Sequence, residues 1–143
     1  MRLAVSLRCS LYASIAALFL SGVLWLAVRY GTTLGGQERE LLAISMRIHG
    51  AATMAMLVLT GCAVALHSVK AWQERKNRIS GTALSCALLL LALTGYLLYY
   101  VGDDALRATT SIVHWVAGIA GSAVLIWHVV EARRASAARG AAD

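Results

Sequence analysis

The sequence of 143 residues contains no proline, a single phenylalanine and few charged residues, which make up 14% of the chain. Without proline, no helix has to kink where a backbone hydrogen bond is missing. The low charge, together with 59% hydrophobic residues and a mean hydropathy of +0.70, excludes a typical soluble domain. The net charge of +6 therefore does not indicate a nucleic-acid-binding protein.

The charged residues leave four uncharged runs of 20 to 24 residues. These runs lie between Arg8 and Arg29, Arg47 and Lys70, Arg78 and Asp103, and Arg107 and Glu131. About 20 apolar residues form a helix that crosses the hydrocarbon core of a bilayer. The sequence therefore predicts an all-α membrane protein, a single transmembrane domain over residues 1–143. Its spans are predicted at about 9–29, 41–69, 79–101 and 107–131. The short connections favour an up-down-up-down four-helix transmembrane bundle.

The basic residues indicate the orientation of the chain. Nine of the thirteen lysines and arginines fall before the first span, between the second and third, or after the fourth. By the positive-inside rule, both termini are predicted to lie in the cytoplasm, with the chain in a bacterial inner membrane. A charged start followed by an apolar run also describes a signal peptide. However, the run from Cys9 to Val28 is long and no small-x-small cleavage pattern follows it, so we interpret it as a membrane helix.

Cysteine gives no functional signal. Cys9, Cys62 and Cys86 are dispersed in or beside apolar runs, and small buried hydrophobic side chains are the simplest interpretation. The chain contains no C-x-x-C-H sequence, which excludes covalent attachment of c-type haem. No internal repeat is evident.

Histidine is the residue type that indicates function. All four histidines lie in the second and fourth spans, at His49, His67, His114 and His128. An ionisable side chain at membrane depth is costly and marks a function or a buried partner. The first pair is separated by 18 residues, or five turns, and the second by 14 residues, which is within ~40° of four turns. Each pair therefore occupies one face of its helix.

The two histidine-bearing spans run in the same direction in an up-and-down bundle. His49 then faces His114 near the outer surface, and His67 faces His128 near the inner surface. Within one helix the histidines are ~27 Å or ~21 Å apart, too far to share one ion. Two neutral imidazoles on facing helices suit a six-coordinate b haem, so the sequence predicts two haem b groups with the four histidines as iron ligands. Helix tilt, inclined haem planes or a bulge near Gly61 would absorb the ~6 Å difference in spacing.

Neighbouring residues complete the predicted cofactor sites. Gly118 and Gly121 share a stripe with His114, where a missing side chain lets a porphyrin approach the backbone. Close helix packing is the alternative explanation for both glycines. Arg47 lies two residues before His49 and is predicted to pair with a propionate of the outer haem.

Second contacts to the imidazoles are also predicted. Ser45 and Thr110 lie one turn before His49 and His114, where a hydroxyl would bond the Nδ1 side of the ring. Other candidate partners of haem propionates are Arg29 and Arg107 on the outer side, and Lys70 and Arg75 on the inner side.

Two segments carry a family resemblance. MRIHGAATMAMLVLTGCAVALHSVKAWQERKNRISG and LLLALTGYLLYYVGDDALRATTSIVHWVAGIAGSAVLIWHVVEARR resemble small proteobacterial four-helix membrane proteins of unassigned function. Those proteins are similar to cytochrome b561-type and hydrogenase or formate dehydrogenase cytochrome b subunits. The resemblance covers residues 41–134, and its strongest parts are the in-phase histidines and the TGYLLYYVGDDALR turn. It implies two b haems, electron exchange with membrane quinone or quinol, and a redox partner outside the membrane. That partner would be a periplasmic flavoprotein, a multihaem cytochrome or a molybdenum enzyme.

The chain departs from the hydrogenase pattern because its first span contains no histidine. Ligand pairing resembles that of the bc complex, in which two helices supply all four ligands. The sequence thus predicts a dihaem electron-transfer subunit of a respiratory-chain oxidoreductase rather than a stand-alone enzyme. Two alternatives stay open. One is a self-contained oxidoreductase acting on superoxide or a ferric chelate near Arg47 and Arg107, and the other is a haem-free accessory or metal-transport protein.

Overall fold

The structure, a computed structural model, describes residues 4–31, 37–65 and 78–140. It contains four helices that are long and apolar enough to cross a membrane: α1 (Val5–Tyr30), α2 (Glu38–Ala63), α3 (Arg78–Tyr100) and α4 (Asp104–Gly140). The shortest, α3, has 23 residues and a length of ~35 Å, more than the ~30 Å hydrocarbon core. The predicted fold class is confirmed. The chain is an all-α, multi-pass membrane protein whose helices pair α1 with α2 and α3 with α4.

The helix bounds differ from the prediction at the ends of α4 and α2. The fourth span was expected to end near residue 131, but α4 continues to Gly140. The second span was expected to continue to residue 69, but the α-helix ends at Ala63 and a wider π-helical turn follows at residues 64–65. A bulge close to Gly61 was one of three features expected to absorb the unequal histidine spacing. The regular α-helical periodicity that was counted onward from His49 therefore extends only to Ala63. His67, together with Lys70 and Arg75, lies outside the described residues.

The chain divides into two compact units, Met1–Lys70 and Ala71–Asp143. In the first unit Ser14 and Val58 line one shallow groove, and Ser21 meets His49. Residues early in α1 thus lie beside residues late in α2, which makes this unit an antiparallel hairpin of two helices.

The second unit is also an antiparallel hairpin. The start of α3 meets the end of α4 through Ser80 and His128, and the end of α3 meets the first half of α4 through Thr94 and His114. Both contacts are separated by 14 residues on each helix, so the two helices keep the same register for about four turns, or ~21 Å.

The turn between α3 and α4 is fixed at both ends. The Asp103 carboxylate accepts a hydrogen bond from the Leu106 backbone N–H at 2.7 Å, which is the geometry of a helix N-cap. Arg107 Nη2 donates to the Leu98 carbonyl oxygen at 3.2 Å and satisfies one of the last carbonyls of α3. These two side chains explain the tight outer turn expected from the GDDALR sequence.

Small side chains form the interiors of both hairpins. Nine hydrophobic or polar residues are buried among those described, and seven of them are serine, threonine or alanine: Ser21, Ser45, Ala52, Ser80, Thr94, Thr110 and Ala117. Membrane helices associate through small residues because their backbones can then approach closely. Large apolar side chains such as Leu20, Val58 and Ile126 are about two-thirds exposed, as contact with lipid requires.

Candidate functional site

Three of the four histidines belong to the described residues, and all three are half-buried. Each ring places Nδ1 within hydrogen-bond distance of a hydroxyl on the other helix of its own hairpin. The oxygen-to-nitrogen distances are 3.0 Å for Ser21 and His49, 2.8 Å for Thr94 and His114, and 3.1 Å for Ser80 and His128. The same contact is therefore made three times.

A glycine follows each of these hydroxyl residues in the sequence. We call Ser21-Gly22, Ser80-Gly81 and Thr94-Gly95 the hydroxyl-glycine dipeptides. A Cβ atom added to the glycine would lie 3.5 Å from His49 Cε1, 3.8 Å from His128 Cε1 and 3.4 Å from His114 Cε1, respectively. The Cε1 edge of each ring thus approaches the opposite helix where no side chain intervenes. Each dipeptide thus supplies a hydroxyl that contacts Nδ1 and a glycine without a side chain beside Cε1.

The proton at His49 can be assigned from the bonds of Ser21. The Ser21 hydroxyl donates to the Ala17 carbonyl oxygen at 2.6 Å, one turn earlier in α1. A hydroxyl has one proton, so the oxygen that lies 3.0 Å from His49 Nδ1 acts there as an acceptor. The network therefore assigns the proton of neutral His49 to Nδ1.

His114 has the same arrangement. The Thr94 hydroxyl donates to the Leu90 carbonyl oxygen at 2.7 Å, and its oxygen accepts from His114 Nδ1 at 2.8 Å. Ser80 contacts His128 in the same way, although the residue one turn before Ser80 lies outside the described ranges.

This tautomer has a chemical consequence. With the proton on Nδ1, the lone pair of a neutral imidazole is on Nε2. Histidines that bind metals almost always donate their other ring N–H to an oxygen acceptor, which fixes the tautomer and the orientation of the ring. His49 and His114 thus have the protonation pattern of Nε2 metal ligands.

The structure gives the hydroxyl contacts to residues other than those predicted. Ser45 was expected to bond His49, but its fully buried hydroxyl donates to the Leu42 carbonyl oxygen at 2.9 Å in its own helix. The hydroxyl on His49 comes from Ser21 across the hairpin. Likewise the hydroxyl on His114 is that of Thr94, while Thr110 is buried one turn before the histidine. The prediction for Ser45 was wrong because a helical serine readily bonds a carbonyl three or four residues back.

Gly118 and Gly121 lie against α3. A Cβ atom on Gly121 would be 3.6 Å from Leu91 and 3.7 Å from Ala87, and one on Gly118 would be 3.9 Å from Leu91. Gly121 is buried and Gly118 half-buried. The atoms that an added Cβ would meet all belong to α3. This corresponds to the alternative explanation, in which the two glycines allow close packing of α3 and α4.

The three arginines predicted to lie on the outer side have different surroundings. Arg47 is exposed, and its position two residues before His49 places it about 200° around α2 from the histidine. Arg107 bonds the end of α3, and the guanidinium of Arg29 lies 5.9 Å from the ring centroid of Tyr30.

The predicted partners His49 and His114 belong to separate units, so their pairing stays a prediction from the sequence.

The two hairpins share an internal correspondence that the sequence alone did not reveal. The hydroxyl residue is the seventeenth of α1 and also the seventeenth of α3, at Ser21 and Thr94. The histidine it meets is the twelfth residue of α2 and the eleventh of α4. The matching sequence signals are L-x-L-[ST]-G in the first helix and [IV]-H in the second.

One buried donor beside His114 has no acceptor among the described residues. The indole N–H of Trp115 is enclosed and makes no hydrogen bond there. An unsatisfied buried donor costs about 1–3 kcal/mol, so an acceptor from a bound group would lower the free energy of this site.

No family model, curated protein or solved structure matches this chain.

Proposed function

We propose that the chain is a dihaem b-type cytochrome of the bacterial inner membrane, with both termini in the cytoplasm. It would move electrons between quinone or quinol and a periplasmic or membrane-bound redox partner. The observation that carries this proposal is the hydroxyl of the facing helix that lies 3.0 Å from Nδ1 of His49 and 2.8 Å from Nδ1 of His114.

The residues present fit a haem. Neutral imidazole nitrogen would serve as a ligand to the iron of b haem, and the tautomer assigned to these two histidines leaves the lone pair on Nε2. The hydroxyl-glycine dipeptides hold each ring at Nδ1 and Cε1, so the chain itself fixes the direction of the lone pair. Trp115 has an enclosed N–H that a propionate carboxylate would satisfy. A bound b haem supplies one-electron oxidation and reduction.

The pairing of ligands is proposed from the sequence. The outer haem would take His49 and His114, and the inner haem His67 and His128. Arg47 is exposed and lies two residues before His49, about 200° around α2 from it, so its pairing with a propionate oxygen is proposed from the sequence alone.

An electron carrier fits the chain better than a stand-alone enzyme. The described connection between α3 and α4 has three residues; Asp103 within it caps α4, and Arg107 of α4 bonds the end of α3. Substrate recognition would therefore be supplied by a partner protein, whose reduction or oxidation this chain couples to the quinone pool.

The experiment is a dithionite-reduced minus oxidised spectrum of the full chain, purified in detergent from haem-replete cells. Pyridine-haemochrome quantification then gives the haem per chain. We expect two b haems per chain, and quinol should reduce them. Protein without a Soret band would refute the proposal and favour the haem-free accessory or metal-transport class. Turnover of superoxide or a ferric chelate by the haem-loaded chain alone would instead favour the self-contained oxidoreductase.

A further inference from the structure

The acceptors at the histidine Nδ1 atoms are hydroxyl groups rather than carboxylates. A carboxylate shares the imidazole proton strongly and makes the ring a stronger electron donor to iron. A hydroxyl is a weaker, neutral acceptor. In Ser21 and Thr94, however, the hydroxyl is itself polarised because it donates to the carbonyl one turn earlier, at 2.6 Å and 2.7 Å. Chains of hydrogen bonds strengthen one another in this way, so each hydroxyl becomes a better acceptor than an isolated one.

The same residues restrict rotation of the rings. The Thr94 hydroxyl lies 2.8 Å from Nδ1 of His114 and holds that atom in place. Gly95 has no side chain, so the Cε1 edge of the ring can approach α3. Rotation of the ring about its Cβ–Cγ bond would break the hydrogen bond. The plane of the imidazole is thus set by α3, whereas the histidine itself belongs to α4.

We infer that Ser21 and Thr94 are positioning residues that set the reduction potential of the haem by holding the ring proton of His49 and His114 on Nδ1. This inference rests on the proposed function. The hydrogen bond raises the basicity of the ligand and stabilises ferric iron more than ferrous iron. Removing the hydroxyl removes that preference, so the reduction potential rises.

The test compares Ser21→Ala and Thr94→Ala with the conservative exchanges Ser21→Thr and Thr94→Ser. The chain also offers matched controls. Ser85 in α3 and Ser122 in α4 each donate to the carbonyl four residues back, as Ser21 and Thr94 do, but they contact Gly81 and Gly118 rather than a histidine. Ser85→Ala and Ser122→Ala therefore remove the same chemical group without touching an imidazole.

Spectroelectrochemical titration of the purified protein is the measurement. Loss of one hydrogen bond should change the ratio of ferric to ferrous stability by up to about tenfold. For one electron this is an upward shift of up to about 59 mV in one haem. The conservative exchanges and the two controls should keep the wild-type potentials. The low-spin ferric electron paramagnetic resonance signal should also change in the alanine variants, because the ring plane is no longer fixed.

The outcomes separate the two proposals. If the alanine variants keep their haem at wild-type potentials and with the wild-type ferric signal, the positioning role is refuted while the cytochrome proposal stands. Loss of haem in the alanine variants supports the role if the conservative exchanges restore it, and refutes the role if they do not. If the wild-type chain holds no haem, the proposed function fails. Histidine ¹⁵N NMR of the haem-free chain then tests the proton assignment alone, and protonated Nε2 at His49 and His114 would overturn it.

Discussion

Enlarging Gly95 should displace His114 in a graded way. A Cβ atom at this position lies 3.4 Å from His114 Cε1, just inside the 3.5–4.0 Å optimum for two carbon atoms. Gly95→Ala therefore needs a shift of only a few tenths of an ångström, and alanine adds up to about 1 kcal/mol of helix propensity. In Gly95→Val a methyl group extends about 1.5 Å beyond Cβ, so a methyl directed at the ring would force it away.

The consequence of that movement follows from the neighbouring bond. The Thr94 contact to His114 Nδ1 is 2.8 Å, and a shift of about 1 Å exceeds hydrogen-bond distance. Overpacking of this kind costs about 1–3 kcal/mol, which corresponds to about 5- to 150-fold weaker binding of the haem that His114 is proposed to ligate. We expect Gly95→Ala to keep two haems per chain and Gly95→Val to retain only about one. Pyridine-haemochrome assays give the haem content, and thermal unfolding followed by circular dichroism checks the fold.

A fourth dipeptide of the same composition, Thr60-Gly61 in α2, is the matched control. A Cβ atom on Gly61 would meet no atom of the described residues within 4 Å. Gly61→Val should therefore keep both haems. At Gly22 and Gly81 the corresponding distances to a histidine Cε1 are 3.5 Å and 3.8 Å, which predicts a milder effect at Gly81. Full haem content in Gly95→Val, or an equal loss in Gly61→Val, would refute the reasoning.

Three further predictions concern the ligands, the turn and the topology. His49→Ala or His114→Ala should lose the outer haem and keep part of the inner one, and His128→Ala should do the reverse; full occupancy of both haems in every variant would contradict the pairing. Asp103→Ala should destabilise the chain in detergent by about 1 kcal/mol through loss of the α4 cap, whereas Asp103→Asn should be close to neutral in chemical denaturation. Reporter fusions at both termini should show cytoplasmic activity, and a periplasmic signal from either end would contradict the charge rule.

The helices could be predicted because bilayer thickness imposes a length on every spanning segment. The gaps between charged residues reproduce that length, and in α3 they give the helix almost to the residue. The end of α2 was not predictable in the same way. The π-helical turn at residues 64–65 interrupts the regular phase, and no proline marks it in the sequence.

The histidines were visible in the sequence, but their hydroxyl partners were not. Periodicity shows which residues share a face of a helix and not which neighbour that face meets. Gly121 shares the stripe of His114, yet its described contacts are Leu91 and Ala87 in α3. The hydroxyl partners are 20 to 48 residues away in the chain, so only the register of each hairpin brings them to the ring. The repeated [ST]-G dipeptides were the signal that could have identified them.

Because each described histidine contacts a hydroxyl within its own hairpin, neither hairpin needs the other to orient its imidazole. A two-helix hairpin that entered the bilayer as a unit would carry its imidazole already oriented. If the chain binds the proposed haems, their insertion would thus be a late step that does not wait for the hairpins to refold.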